Sequence, residues 1–153
     1  MDRDVGATDF ESFASEVQSR LVGAFIACRG IDGAADAAAE AIAYAFEHWD
    51  RIRVMENPTG YLYRVGQSRT RVRPLPSLPA PETIGVPEVE PALIPALRAL
   101  PETQRTAVWL VHACEWRYAE VAEAMGTSVS MVGNHVSRAL EALRDALEVE
   151  SHA

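Results

Sequence analysis

Three residues in the C-terminal part of the chain have the types and spacing of a helix-turn-helix. Ala122, Gly126 and Val132 supply a small residue at a helix crossing, a glycine that can take positive φ at a turn, and an apolar anchor on the second helix. Val121 and Val129 are expected to pack beside them. A helix-turn-helix presents its second helix to the major groove of DNA. An ordinary helical hairpin that binds no DNA would satisfy the same spacing.

The second helix of this motif would turn its other face away from the core, towards a DNA groove. That face is expected to carry Ser130, Met131, Gly133, Asn134, His135, Ser137 and Arg138. Gly133 costs a helix interior roughly 0.5–1 kcal/mol relative to alanine. Arg138 is the one cation in this group, and few cationic contacts predict a shallow salt dependence of DNA binding.

Positive charge is concentrated in one segment of an otherwise acidic chain. The 153 residues carry a net charge of −8, and all 14 basic residues are arginine. Residues 1–50 sum to −7, whereas residues 51–73 sum to +5. An acidic protein does not bind nucleic acid through its overall charge, so this basic segment or a partner must supply the attraction. A solvated helix face is the alternative interpretation of such a cluster.

Apolar periodicity predicts helices along most of the chain. Thr8 or Asp9 is expected to cap the first helix, and Gly30 and Gly33 to separate it from a second helix that runs to about Ile52. The other predicted helices run from Asn57-Pro58 to Pro74, over 92–100, from Pro101, over 118–125, and from Thr127 or Ser128 to about Glu148. In the last helix, the apolar stripe is expected to comprise Val129, Val132, Val136, Leu140, Leu143 and Leu147.

The predicted architecture is all-α, with two small helical domains joined by a linker. Residues 74–91 contain six prolines and three acidic residues without a basic one, a composition typical of a semi-extended linker. The predicted units are therefore a first domain at 1–73, the acidic linker at 74–91 and a second domain at 92–153.

Composition argues against several other classes of protein. No apolar run approaches the roughly 18 residues that a membrane-spanning helix needs, and the N-terminus is not a secretory signal, so we expect a cytoplasmic protein without membrane insertion. Cys28 and Cys114 lie too far apart in the sequence for metal-ligand spacing, and the four histidines show none either. There is no glycine-rich phosphate loop. We therefore expect no enzyme, no catalytic residues, no metal and no cofactor.

Several segments together carry a resemblance to a known family. They are Asp36-Ala-Ala-Ala-Glu40, NPTGYLYRVGQSR at 57–69, ALRALPETQR at 96–105, YAEVAEAMGTSVSMV at 118–132 and VSRALEALR at 136–144. With them the chain resembles the sigma-70 family of RNA polymerase sigma factors, of the extracytoplasmic-function (group 4) type, over about residues 9–148. The resemblance implies a region 2-like helical bundle and a region 4-like helix-turn-helix. It also implies an alternative sigma factor that directs promoter-specific transcription initiation.

The resemblance implies three binding surfaces and their residues. Bacterial core RNA polymerase would be bound through its β′ clamp and β flap, the clamp by Asp36, Glu40 and Glu47. The residues alone suggest a solvated acidic face there. The minus-10 element, as single-stranded promoter DNA, would meet Asn57, Tyr61, Tyr63, Arg64, Gln67, Arg69 and Arg71. The minus-35 element would meet Arg117, Ser128, Ser130, Met131, Gly133, Asn134, His135 and Arg138.

Two further points follow from the residues at these positions. Tyr61 and Tyr63 can each stack on a base or pack in the core. The family usually has a cation where this chain has Gly133, and often another at His135, which motivates two alternatives. One is a degenerate sigma-like regulatory protein that binds polymerase or an anti-sigma factor without reading promoters, and the other is a free-standing helix-turn-helix regulator. Many relatives are held by an anti-sigma factor, so the resemblance implies such a partner.

Overall fold

The described part of the protein consists of helices and the turns that join them. The computed structural model describes residues 2–70 and 92–151, with side chains at 9–70 and 92–148. Its helices are α1 (Asp2–Glu47), α2 (Trp49–Ile52), α3 (Pro58–Arg69), α4 (Leu93–Ala99), α5 (Glu102–Val108), α6 (Tyr118–Met125) and α7 (Val129–Ser151). A π-helical turn, Trp109–Ala113, continues α5. The predicted all-α fold is confirmed, whereas the predicted linker and Arg71 lie outside the described residues.

Helix α1 bends sharply at Gly30. Its backbone there has φ 72° and ψ 177°, a conformation that glycine tolerates because it has no Cβ. The break expected near this glycine is therefore present, as a kink between two arms of one long helix. The predicted cap at Thr8 or Asp9 is wrong, since α1 begins at Asp2. Nothing in the preceding residues forbids helix, because they include no proline.

Small side chains bring the second arm of α1 close to its neighbours. Five alanines of this arm, Ala34, Ala37, Ala38, Ala41 and Ala45, are completely buried. Helix α3 packs on α1 where Gly66 meets Phe25. A Cβ on Gly66 would lie only 2.5 Å from Phe25 Cζ, so this glycine fixes how closely the two helices approach.

The last helix, α7, packs on α4, α5 and α6. Val132, Val136 and Leu143 are buried as predicted, but Val129 and Leu140 are exposed, so the predicted stripe is wrong at these two positions. Each residue turns the helix by about 100°, so both side chains point roughly 60–80° away from the direction of Val132, in the same sense. The packed face of α7 is therefore narrower than the sequence pattern indicates. Among the described residues, no helix is long and apolar enough to cross a membrane.

Candidate nucleic-acid interface

Helices α6 and α7 form the predicted helix-turn-helix. Gly126 ends α6 in the left-handed conformation, with φ 65° and ψ 39°. Ala122 and Val132 are buried between the helices, as their spacing predicted. Ser128 begins α7, because its hydroxyl accepts a hydrogen bond from the Met131 amide at 3.2 Å. The turn is thus fixed by one glycine conformation and one side-chain cap.

The outward side of α7 carries most of the residues predicted to meet the minus-35 element. The exposed ones are Ser128, Ser130, Met131, Asn134 and Arg138, and the half-buried ones are Gly133 and His135. Tyr118 of α6 lies beside Gly133, with its Cε2 3.8 Å from where a Cβ would stand. Arg117 is exposed at the start of α6, where its guanidinium pairs with Glu120 at 3.4 Å. The expectation that Val129 packs alongside the three motif residues is wrong, since its side chain is half exposed.

A cluster of aromatic and basic side chains lies where α3 meets the second arm of α1. The hydroxyls of Tyr44 and Tyr61 are 3.2 Å apart, and Arg51 donates a hydrogen bond to each of them. The guanidinium of Arg69 lies 4.8 Å from the centre of the Tyr44 ring, and the His48 ring stacks on Tyr44 with 4.1 Å between the ring centres. We call Tyr44, Tyr61, Arg51 and Arg69 the aromatic–basic cluster.

The aromatic–basic cluster combines planar rings with uncompensated positive charge. Within the described residues, neither Arg51 nor Arg69 has a carboxylate within 4.0 Å. The hydrogen bond with Tyr44, and after it burial, raise the pKa of Tyr61, so its hydroxyl stays protonated. Proteins that bind single strands combine aromatic rings, which stack on bases, with arginines, which contact phosphates.

Tyr63 differs from Tyr61 because the structure places it in the core. Its ring stacks on Phe25 at 4.7 Å and meets Trp116 edge-on at 5.9 Å. Burial, and after it the Cys28 thiol, raise the pKa of the Tyr63 hydroxyl, which accepts a 2.9 Å hydrogen bond from Gln67. Of the two tyrosines, Tyr61 alone is placed where a base could stack on it.

Gln67 and Asn57 also make contacts that are internal to the fold. The Gln67 side chain receives a 2.6 Å hydrogen bond from Arg29, which is itself buried. Asn57 precedes Pro58 at the start of α3, as predicted, and its carbonyl accepts from the Tyr61 amide. Its side chain makes no capping hydrogen bond.

The helix-turn-helix packs directly against the N-terminal half of the chain, residues 2–70. Glu120 of α6 is buried and pairs with Arg20 of α1 at 2.8 Å, and the same guanidinium donates to the Thr59 hydroxyl at 3.1 Å. Burial would raise the pKa of Glu120, but hydrogen bonds from Arg20 and the Arg117 amide outweigh it and hold the pKa below its ordinary value. Gly60 of α3 touches α6, since a Cβ on it would lie 2.5 Å from the Glu120 carbonyl oxygen.

Two more contacts complete this junction. Arg64 of α3 pairs with Glu123 of α6 at 3.6 Å, and both side chains are substantially exposed. The indole of Trp109 donates to the Gly23 carbonyl at 2.9 Å. The two halves of the chain therefore share one buried core, to which both Tyr63 and Trp116 belong.

The acidic residues predicted to meet polymerase lie along the outside of α1. Asp36, Glu40 and Glu47 are all exposed, and their spacing of four and seven residues puts them on one face of the helix. Phe46 beside them is 68% exposed, which is unusual for a large aromatic side chain. An acidic face with an exposed ring suits a protein partner with basic and apolar groups.

Sequence reasoning missed Tyr44, Arg51, Arg20 and Glu120 as members of these clusters. Arg51 carried a signal, since it opens the segment of positive charge. Tyr44 carried a weaker one, because it is an aromatic residue between two alanines of the predicted second helix. The pairing of Arg20 with Glu120 joins residues 100 positions apart, and no local pattern indicates it. Among the described residues, no group of three potential metal ligands occurs.

Part of the chain matches a known family model, and the fold is similar to that of solved structures. Residues 92–143 match the family model described as Sigma-70, region 4. The chain is also similar to the sigma factor RpoE of Bartonella quintana, whose structure was solved in complex with the anti-sigma factor NepR. That similarity has 22% sequence identity and a TM-score of 0.71, and it covers 92% of this chain and 98% of that chain. A search of curated protein sequences gives no match.

This chain carries, at residues 92–143, a match to Sigma-70, region 4 that includes α6 and most of α7. Its fold is that of the RpoE structure, including the N-terminal helices that lie outside the family match.

Proposed function

We propose that this protein is an alternative sigma factor that binds core RNA polymerase and directs transcription initiation at specific promoters. The observation that carries the proposal is the helix-turn-helix within the region 4 match, whose second helix turns an exposed polar face outward. A helix held in this way, with its first turns free, has the geometry that major-groove readers use.

The aromatic–basic cluster supports a second DNA contact, with the single strand of the minus-10 element. Tyr61 offers a ring for base stacking, and Arg51 and Arg69 offer charge for phosphates. Arg64, at the edge of the same helix, is paired with Glu123. A DNA phosphate would have to replace that carboxylate as the partner of Arg64. Because the ion pair is exposed, this exchange would cost little free energy.

The acidic face of α1 is the proposed contact with the β′ clamp of polymerase, and region 4 would meet the β flap. Charge reversal tests the first contact. Glu40→Arg should weaken binding to core polymerase by roughly tenfold or more, because it places a like charge against a basic partner surface. Asp145→Arg, which reverses an exposed charge on α7 rather than on α1, is the matched control. Equal effects of the two substitutions would contradict the proposed contact.

An anti-sigma factor is a further proposed partner. The RpoE chain with the same fold was solved in complex with one, NepR. This likeness supports a protein partner of that class for the present chain as well.

One feature favours a second candidate function, a sigma-like regulator that binds polymerase or an anti-sigma factor without reading promoters. Arg138 is the single arginine in the first ten residues of α7, in a chain of net charge −8. Substituting Gly133→Arg separates the two candidates, because a reader of DNA should change its minus-35 preference or its promoter strength. A regulator that does not read promoters should show no promoter effect.

Transcription by purified core polymerase, with and without this protein, tests the proposed function. Defined starts that require the protein support it. Binding to core polymerase without any defined start supports the second candidate. Tight operator binding in the absence of polymerase would instead indicate a free-standing helix-turn-helix regulator.

A further inference from the structure

The reading turns of α7 have an unusual chemistry for a DNA-binding helix. From Tyr118 to Ser137 the chain contains no arginine or lysine, so the turn of the motif and the first two turns of α7 lack these cations. Guanine presents two acceptors in the major groove, and a bidentate arginine or lysine is the side chain that matches them. These turns therefore hold no group suited to select guanine in that way.

A different donor and acceptor pair occupies the outward centre of the helix. Ser130 and Asn134 are both exposed, and because they are four residues apart they lie one above the other. The carboxamide of asparagine offers one acceptor and two donor hydrogens. It can therefore pair with the N6 amino group and N7 of adenine together, which is the contact that distinguishes adenine from the other bases.

An apolar side chain lies beside this asparagine. Met131 is 42% exposed, although it is large and apolar. The Asn134 amide nitrogen lies 4.0 Å from the Met131 sulfur, so the amide and the thioether would enter a groove side by side. The thymine C5-methyl group is the apolar feature of the major groove, and it is read by contacts of this kind.

We propose that α7 selects A·T base pairs in the minus-35 element, with Asn134 reading an adenine and Met131 contacting a thymine methyl group. This inference rests on the proposed promoter-reading function. His135 does not offset the lack of arginine, because it is half-buried on the side of α7 nearer the core. Arg138 lies one turn beyond Asn134, where it follows the reading turns.

The test uses core polymerase with the full-length protein and a pool of promoter fragments randomised across the upstream element. Sequencing of the transcribed fragments gives the preferred base at each position. The wild-type protein should enrich A·T pairs, and Asn134→Ala should reduce the preference for adenine at one position by about fivefold to a hundredfold. Gln18→Ala, which removes an exposed amide from α1, is the matched control and should leave every preference unchanged.

A second substitution makes the test reciprocal. Asn134→Arg should shift the preferred base at the same position from adenine to guanine. Both variants replace an exposed side chain, and helical circular dichroism verifies that they fold. Enrichment of guanine by the wild type, or an unchanged profile in Asn134→Ala, would overturn the inference while leaving the proposed function standing. A complete lack of specific transcripts with every fragment would overturn the proposed function and this inference together.

Discussion

Arg20 and Glu120 form a 2.8 Å ion pair that joins α1 to the first helix of the helix-turn-helix. The glutamate is buried. Its carboxylate also accepts hydrogen bonds from the backbone amide and the guanidinium of Arg117, the residue that precedes α6. One carboxylate therefore both starts the helix-turn-helix and fixes it to the N-terminal half. Loss of this pair should therefore weaken the packing of α6 on α1 and lower the free energy of unfolding.

Glu120→Gln should lower the free energy of unfolding by about 1–3 kcal/mol, because it removes the charge from a hydrogen-bonded, buried carboxylate. Arg20 is 31% exposed, so water screens part of the loss. Glu123→Gln removes the partner of an exposed pair and should cost less than about 1 kcal/mol. Urea unfolding of both variants measures the difference. Equal losses would show that the buried pair contributes no more than the exposed one.

The same carboxylate predicts how stability depends on pH. The hydrogen bonds to Glu120 hold its pKa below the ordinary value of 4.5, so its contribution is present above that value and is lost as pH falls through the lower, folded pKa. The stability difference between wild type and Glu120→Gln should therefore be largest near pH 7 and shrink below about pH 4. Urea midpoints across this range measure it. A difference that grows on acidification would have the opposite sign and would contradict the assignment.

Two glycine substitutions with opposite expected effects test the packing around α6. Gly60→Ala should destabilise the protein by about 1–3 kcal/mol, because its Cβ would lie 2.5 Å from the Glu120 carbonyl oxygen. Gly133→Ala should instead stabilise it by about 0.5–1 kcal/mol, since the nearest atom, on Tyr118, is 3.8 Å away and alanine favours helix. Thermal unfolding distinguishes the two. A neutral Gly60→Ala would mean that α3 and α6 do not touch in solution.

Tyr61 should matter to promoter opening through its ring rather than its hydroxyl. Tyr61→Ala should weaken binding of single-stranded minus-10 DNA by the polymerase complex by roughly tenfold, the loss of one stacked base. Tyr61→Phe keeps the ring and should retain most of the affinity. Fluorescence of a base analogue in the non-template strand measures this directly. Equal losses in both variants would assign the effect to the Tyr44–Tyr61 hydroxyl contact instead.

Cys114 should be slow to react in the folded protein. Burial raises the pKa of its thiol to about 11, so little thiolate is present at pH 8, and thiolate is the reactive form. Iodoacetamide labelling followed by peptide mapping should give a much lower rate at Cys114 in native protein than in protein unfolded by urea. Equal rates in the two states would show that this side of the π-helical turn opens freely.

Local features of the fold could be predicted from sequence because a single residue or period determines them. Gly126 ends α6 in the left-handed conformation, and Gly30 bends α1, because each backbone conformation favours glycine. The same reasoning failed for Val129 and Leu140, since a residue that fits an apolar period can still lie at the edge of the packed face.

The candidate sites were less predictable because they combine residues from distant segments. Tyr61 and Tyr63 are two positions apart on one helix, and only the packing of α3 on Phe25 shows which ring is buried. Tyr44 and Arg51 join Tyr61 because α1 and α3 lie side by side. The identities of Ser130, Met131 and Asn134 as outward residues followed from helix period alone, and their exposure is confirmed.

The most direct test of the central claim is to map transcript 5′ ends made by purified core polymerase on fragmented genomic DNA, with and without this protein. Defined starts should appear only with the protein and should share two upstream elements. Gly60→Ala and Asn134→Ala, tested in parallel, separate a loss of folding from a loss of reading. If the protein is folded and bound to core polymerase yet yields no defined starts, the proposed promoter function is contradicted.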